Sequence, residues 1–129
     1  MENPPCKKHF VLVHGACQGA WCWYKVKPLL EVSDHRVTVL DMAASGINLK
    51  KIHDLQTFAD YCEPLIEFMK SIPDDHKVIL VGHSLGGINI AMVMEMFPYK
   101  IELAVFLTAF MPDTHHTPSF VFDQNRVIE

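Results

Sequence analysis

The residues best suited to chemistry are Gly82-His83-Ser84-Leu85-Gly86, a G-x-S-x-G pattern extended by Gly87. A serine hydroxyl becomes a useful nucleophile when a sharp strand-to-helix turn lifts it clear of its neighbours. Glycines flank it because side chains there would collide with the adjoining strand or helix. At average Gly and Ser usage, a chain of 129 residues holds such a pattern by chance on the order of a few per cent of the time. The setting agrees with the pattern, since an apolar run ends at Val81 and an apolar helical segment opens at Leu85. A helix starting there favours negative charge developing at its N-terminus. Two plainer readings compete: a glycine turn that only permits close packing, and a phosphate cradle. The cradle lacks the lysine and spacing of a P-loop.

Acyl transfer through a serine also needs two N–H donors aimed at the oxyanion of the tetrahedral intermediate. One comes from the residue after the nucleophile, here Leu85. The other comes from the loop after the first strand, where His14-Gly15-Ala16 places Ala16 in that role. Gly15 lets the backbone approach a substrate carbonyl without a side chain in the way. His14 reads as a loop-fixing residue. His83 reads as a hydrogen-bonding residue within the turn, because adjacent side chains diverge and it cannot serve as base for Ser84. After Ser84 the alternatives for acid and base are Asp113, with His115 or His116 swinging back from a nearby loop. Two adjacent histidines without a third ligand make a poor metal site, so neither metal nor cofactor is expected. Cys6, Cys17, Cys22 and Cys62 form no C-x-x-C pair and read as free thiols.

The elements that must position these residues alternate in kind. Short β-branched runs at Phe10–Val13, Val37–Leu40, Val78–Val81 and Leu103–Leu107 read as buried strands. Between them lie helical stretches from Ala20 to about Val32, Thr57 to Ser71 and Leu85 to about Phe97. The second stretch has an apolar stripe of Phe58, Tyr61, Leu65, Phe68, Met69 and Ile72, with Asp60, Glu63, Glu67 and Lys70 opposite. The third has almost no polar face and is expected to be buried, with Met92, Met94 and Met96 in the core. Trp21, Trp23 and Tyr24 are expected as core and pocket wall. A kink or fresh start is expected at Pro28 and Pro64, and one exposed loop from Ala43 to Asp54. This rhythm predicts an α/β fold: parallel strands joined by crossovers, with helices on both faces.

Composition narrows the function. The chain carries 11 Lys+Arg against 15 Asp+Glu, a formal charge of −4, and is 50% hydrophobic. That balance gives no footprint for nucleic acid and is too apolar for a disordered chain. No apolar run approaches the ~18–20 residues of a membrane span, and the first residues hold no apolar signal core, so a cytoplasmic address is expected. The expected organisation is a disordered tail at 1–8, a folded unit at 9–124 and a divergent end at 125–129.

Several stretches resemble the plant methylesterase family of the α/β-hydrolase superfamily. They are His9-Phe-Val-Leu-Val-His-Gly-Ala16, Gly19-Ala-Trp-Cys-Trp-Tyr-Lys-Val-Lys-Pro-Leu-Leu30, Asp41-Met-Ala-Ala-Ser-Gly46, Lys77-Val-Ile-Leu-Val-Gly-His-Ser-Leu-Gly-Gly87 and Ala104-Val-Phe-Leu-Thr-Ala-Phe-Met-Pro-Asp113. The family includes salicylate, jasmonate and indole-acetate methylesterases, polyneuridine-aldehyde esterase and hydroxynitrile lyases. The resemblance runs from about His9 to Gln124 and implies part of an α/β-hydrolase, about four parallel strands. It also implies Ser84 as nucleophile, Ala16 and Leu85 as oxyanion donors, Gly82 and Gly86 shaping the turn, and a small methyl ester or its acid product as ligand. The lyase branch tends to carry Thr at the place of Gly15, Glu at His83 and Cys at Leu85, so the esterase reading ranks above it. Members of the family are about twice as long, and their acid and base follow the strands that come after the fourth. The chain by itself is therefore expected to be inactive, a non-catalytic binding or interaction fragment being the alternative. The edge near Leu103–Leu107 is expected to lie open to self-association or a partner.

Overall fold

The structure is a computed structural model, and it describes residues 6–124. Four strands form one parallel sheet: β1 (His9–Val13), β2 (Arg36–Leu40), β3 (Val78–His83) and β4 (Ile101–Leu107), in the order β2-β1-β3-β4. The chain steps from β1 to β2 on one side, then crosses back to lay β3 on the other. Ligands of open α/β sheets bind at such a reversal, outside the carboxyl ends of the strands. In β1 and β3, Val13 pairs with Gly82, so the segments beginning at His14 and Ser84 leave the sheet side by side. Topology alone thus brings the two candidate loops together.

The helices are α1 (Val26–Val32), α2 (Phe58–Ser71), α3 (Gly86–Met96) and α4 (Ser119–Gln124), with 3-10 turns at Ala20–Trp23, Ile52–Asp54 and Pro98–Lys100. In α2, Cys62, Leu65, Ile66 and Met69 are buried at helical spacing, with Phe58, Tyr61 and Phe68 half-buried beside them. Its start is a capping box. The Asp60 N–H donates to Thr57 Oγ1 at 3.1 Å, and the Thr57 N–H donates to Asp60 Oδ2 at 3.0 Å. Its end is closed by Lys100, buried, whose Nζ donates to the carbonyls of Met69 (2.9 Å) and Ile72 (2.8 Å). The core joins this face to Val11, Val13, Val78 and Leu80 of the sheet and to Ile90 and Val93 of α3.

Several expectations change. The segment from Ala20 to Val32 breaks into a 3-10 turn and α1, with Pro28 in the first turn of α1, where its missing N–H costs nothing. No fresh start occurs at Pro64, where α2 runs on because the buried face on both sides of the proline holds it. Trp23 is buried, but Trp21 and Tyr24 are exposed, since a single 3-10 turn with its cap cannot point residues 21, 23 and 24 all inward. The first half of α3 is buried from Gly86 to Ile90, whereas Met92 and Met94 are half-buried and Met96 is exposed beyond the reach of the sheet.

The stretch from Ala43 to Asp54 is not one exposed loop. Met42 and Ala43 are fully buried and the Ala43 N–H donates to the Tyr61 carbonyl at 3.0 Å, leaving Ile47 and Leu49 outside. As expected, β4 is an edge strand, but it is not a buried one: Leu103, Val105 and Leu107 are exposed, because among the described residues nothing covers that face. Of the tail at 1–8, residues 1–5 lie outside the described residues. Lys8 is held: its N–H donates to His35 Nδ1 at 3.1 Å and its carbonyl accepts from the Arg36 N–H at 2.9 Å. The end at 125–129 also lies outside the described residues.

Candidate functional site

Ser84 has φ 55, in the left-handed region that costs an L residue about 1–2 kcal/mol. The glycines around it are sterically required. A Cβ on Gly82 would lie 2.6 Å from the Gly86 carbonyl oxygen, one on Gly86 2.5 Å from that of Val13, and one on Gly87 1.9 Å from that of Phe110. The Ser84 carbonyl accepts from Gly87 and Phe110, each at 3.1 Å, which pins the turn to the segment after β4. The Ser84 side chain is half-buried, and its hydroxyl has no hydrogen-bond partner among the described residues. Strain is not confined to the serine. Thr108 directly after β4 (φ 43) and, four residues beyond β1 and β2, Cys17 (φ 60) and Ala44 (φ 58) share the left-handed conformation, so each loop at this end of the sheet holds such a residue. Strain of this kind gathers where loops are shaped for function.

The loop after β1 is fixed from beneath. His14 is fully buried, and its Nε2 accepts from the Met42 N–H at 3.0 Å. That bond makes Nε2 the unprotonated nitrogen, so Nδ1–H donates to the Gly15 carbonyl at 2.7 Å and the ring is neutral. Asp41 fixes the loop from the side: Oδ1 accepts from the Ala20 N–H at 2.7 Å and Oδ2 from the Ile47 N–H at 3.3 Å. Gly46, at φ +56, makes room for that carboxylate, since a Cβ there would lie 2.0 Å from Oδ1. Between these anchors, a Cβ on Gly15 would come within 3.1 Å of Ser84 Cβ, so the loop backbone faces the serine directly. The N–H groups of Ala16 and Leu85 are spent on no backbone hydrogen bond among the described residues. His83 is half-buried, and its ring makes none of the hydrogen bonds expected of it among the described residues.

Two cavities flank the turn. One of about 710 Å³ is lined by Ala16, Leu85, Cys17, Gln18, Ala43–Gly46, Ile52, Leu55–Phe58 and Tyr61. The other, about 420 Å³, is lined by Ser84, Thr108, Ala109, Phe110, Met111 and Val121. No lining side chain of either carries a charge. Burial pushes the Tyr61 phenol above its ordinary pKa, so it stays a neutral O–H.

The alternative acid and base form a pair elsewhere. His116 Nδ1 lies 2.7 Å from Asp113 Oδ2, while Asp113 Oδ1 accepts the N–H groups of His115 (2.9 Å) and His116 (2.8 Å). The His116 hydrogen bond holds the Asp113 carboxyl below the usual range. The His116 ring stacks on Phe120 at 3.8 Å between centroids. Both residues open onto a third cavity of about 570 Å³ against Met92, Met94 and Met96, which Ser84 does not line. Asp113 and His116 thus make a closed local turn that satisfies itself, and the structure does not bring Asp113, His115 or His116 to the serine. Among the described residues no three His, Cys, Asp or Glu side chains gather to hold a metal ion, and no helix is long and apolar enough to cross a membrane. Gln18, Asp41 and Tyr61 were missed by sequence reasoning. Only Gly46, five residues after Asp41, carried a readable signal.

Comparison with known proteins agrees with this geometry. The chain is 64% identical over 127 residues to methylesterase 3 of Arabidopsis thaliana, covering 98% of this chain and 48% of that protein. It is 62% identical over 117 residues to salicylic acid-binding protein 2 of Nicotiana tabacum, covering 91% of this chain and 45% of that one. The crystal structure of polyneuridine aldehyde esterase superposes with a TM-score of 0.90 at 53% identity, over 92% of this chain and 47% of the other. A protein of that name from Rauvolfia serpentina is 52% identical over 122 residues. The chain spans about half the length of the curated relatives it matches. Residues 8–128 match the family described as alpha/beta hydrolase fold. With a left-handed serine between a strand and a helix, and two unspent amides beside it, this chain belongs to the alpha/beta-hydrolase family.

Proposed function

We propose that Ser84 is the nucleophile of a carboxylic ester hydrolase site, with the amides of Ala16 and Leu85 receiving the oxyanion. One observation carries the reading: a strained serine faces the Gly15 backbone, and among the described residues neither its hydroxyl nor the N–H groups of the adjoining Ala16 and Leu85 are hydrogen-bonded. The uncharged cavities on either side suit a neutral ester whose acyl and alcohol parts straddle the turn. The substrate class is the methyl ester of a small acid such as salicylate, after the names methylesterase 3 and salicylic acid-binding protein 2 of two relatives, with jasmonate and indole-acetate as the further acids that the sequence resemblance implies. His14 and Asp41 are positioning residues, holding the loop whose amide does the work. Acyl transfer would join Ser84 Oγ to the ester carbonyl carbon and release methanol, with water then freeing the acid. Both half-reactions need a base for the Ser84 proton.

No base reaches Ser84 among the described residues, so the 129-residue chain alone reads as a ligand-binding unit of this site. The test compares it with a chimera in which it is continued by the second half of the tobacco salicylic acid-binding protein. The chain alone hydrolyses methyl 2-hydroxybenzoate no faster than its Ser84→Ala variant, and a serine-directed fluorophosphonate leaves it unlabelled. The folded chimera hydrolyses the ester and loses that activity with Ser84→Ala. A folded chimera whose rate ignores Ser84→Ala overturns the proposal.

A further inference from the structure

Gln18 sits where nothing among the described residues uses its amide oxygen. Its Oε1 is shut off from solvent and has no hydrogen-bond partner among the described residues. Buried acceptors are almost always paired, and an unpaired one calls for a partner that arrives from outside. The backbone cannot relax to find one, because Cys17 before it is left-handed and Gly19 after it is buried against Asp41, where a Cβ would lie 2.8 Å from Oδ1.

The position of that oxygen can be fixed from Gly15. A Cβ on Gly15 would be 3.2 Å from Gln18 Oε1, 3.1 Å from Ser84 Cβ and 3.3 Å from the His83 carbonyl oxygen. The amide oxygen and the serine therefore pack against the same glycine of the loop, and a turn of the Gln18 side chain, which is half-buried and lines the neighbouring cavity, is what brings its amide oxygen to a ligand. The His83 carbonyl beside it is itself an acceptor and cannot satisfy it. Gln18 also lines the 710 Å³ cavity together with Ala16 and Leu85.

We propose that Gln18 determines specificity by accepting a hydrogen bond from the substrate. This rests on the ester-hydrolase reading and narrows it to esters with an O–H or N–H beside the scissile carbonyl, as in an ortho-hydroxybenzoate or an α-hydroxy ester. A site built to accept a donor rejects the analogue that lacks one, because its own buried oxygen is then left unpaired.

The test uses two esters of one skeleton, methyl 2-hydroxybenzoate and methyl 2-methoxybenzoate, titrated by NMR into the 129-residue chain. The wild type binds the hydroxy ester about tenfold more tightly than the methoxy ester. The Gln18→Met variant keeps the length of the side chain but loses the acceptor, and it binds both at the weaker level. Gln18→Glu restores an acceptor and with it the preference. Equal binding of the two esters by the wild type overturns the proposal even if no variant folds. A preference that survives in Gln18→Met overturns it as well. If neither ester binds and the Ala16 and Leu85 amide signals stay still, the ester-hydrolase reading falls and takes this one with it. If both bind at those amides without preference, only the role of Gln18 falls.

Discussion

Replacing Ser84 by glycine makes the fold more stable than replacing it by alanine, although both remove the hydroxyl. Ser84 sits at φ 55, where a Cβ costs about 1–2 kcal/mol. Alanine keeps the Cβ and so keeps the strain, whereas glycine releases it. Against this, glycine enlarges the freedom of the unfolded chain, a penalty of about 0.5–1 kcal/mol. The hydroxyl itself enters neither sum, since it bonds to nothing among the described residues. The balance leaves Ser84→Gly more stable than Ser84→Ala by about 0.5–1 kcal/mol, or about 2–5 °C in Tm for a chain of this size. Urea unfolding of the two variants at equal concentration, read by circular dichroism, measures it. A Ser84→Ala variant at least as stable as Ser84→Gly refutes the argument that this position stores backbone strain.

Gly86→Ala drives a Cβ to within 2.5 Å of the Val13 carbonyl oxygen and 2.9 Å of that of His14, so β1 and α3 must part. The loss is about 3 kcal/mol or more, seen as a large fall in urea midpoint. His9 is buried, with a pKa lowered from 6.5 to about 4, first by burial and then by Arg36 and His76. The unfolded chain takes the proton first, so this contribution is intact above about pH 6.5 and is lost as pH falls toward 4. At about 1.4 kcal/mol per unit, discounted for water reaching Arg36 and His76, the loss is about 1–2 kcal/mol. His9→Asn flattens that slope in urea midpoints taken between pH 7 and 4.5, and an unchanged slope contradicts the assignment. Lys100→Met strips the Met69 and Ile72 carbonyls of their donor and costs about 2–3 kcal/mol, with faster amide exchange in the last turn of α2.

The strand-to-helix turn at Ser84 was legible because its signal is local: two small residues must flank a serine wherever a strand turns at once into a helix. The alternation of elements was legible for the same reason, and it carried the pairing of the His14 and Ser84 segments with it. What escaped the sequence depends on distance across the fold. Trp21 and Tyr24 look like core residues, but their exposure follows from a 3-10 turn that faces no second layer. The apolar run of α3 says that the helix needs cover, not that the sheet stops short of Met96. Asp41 reads as an ordinary strand-end carboxylate until Gly19 and Gly46 are seen closed around it. Asp113 and His116 were the right residue types for a triad, yet their three-residue spacing lets them satisfy each other first. Gln18 offered no pattern at all, because an unpaired acceptor is a property of its surroundings.

The most direct test of the site is an amide NMR titration of the ¹⁵N-labelled chimera, whose second half supplies a base for Ser84, with a phenylboronic acid, which forms a tetrahedral adduct with an activated serine hydroxyl. Ala16 and Leu85 N–H signals should move downfield together and saturably in the wild type, and stay still in Ser84→Ala. Amides already protected from exchange in the free chimera, or shifts that persist without the Ser84 hydroxyl, would contradict the site described here.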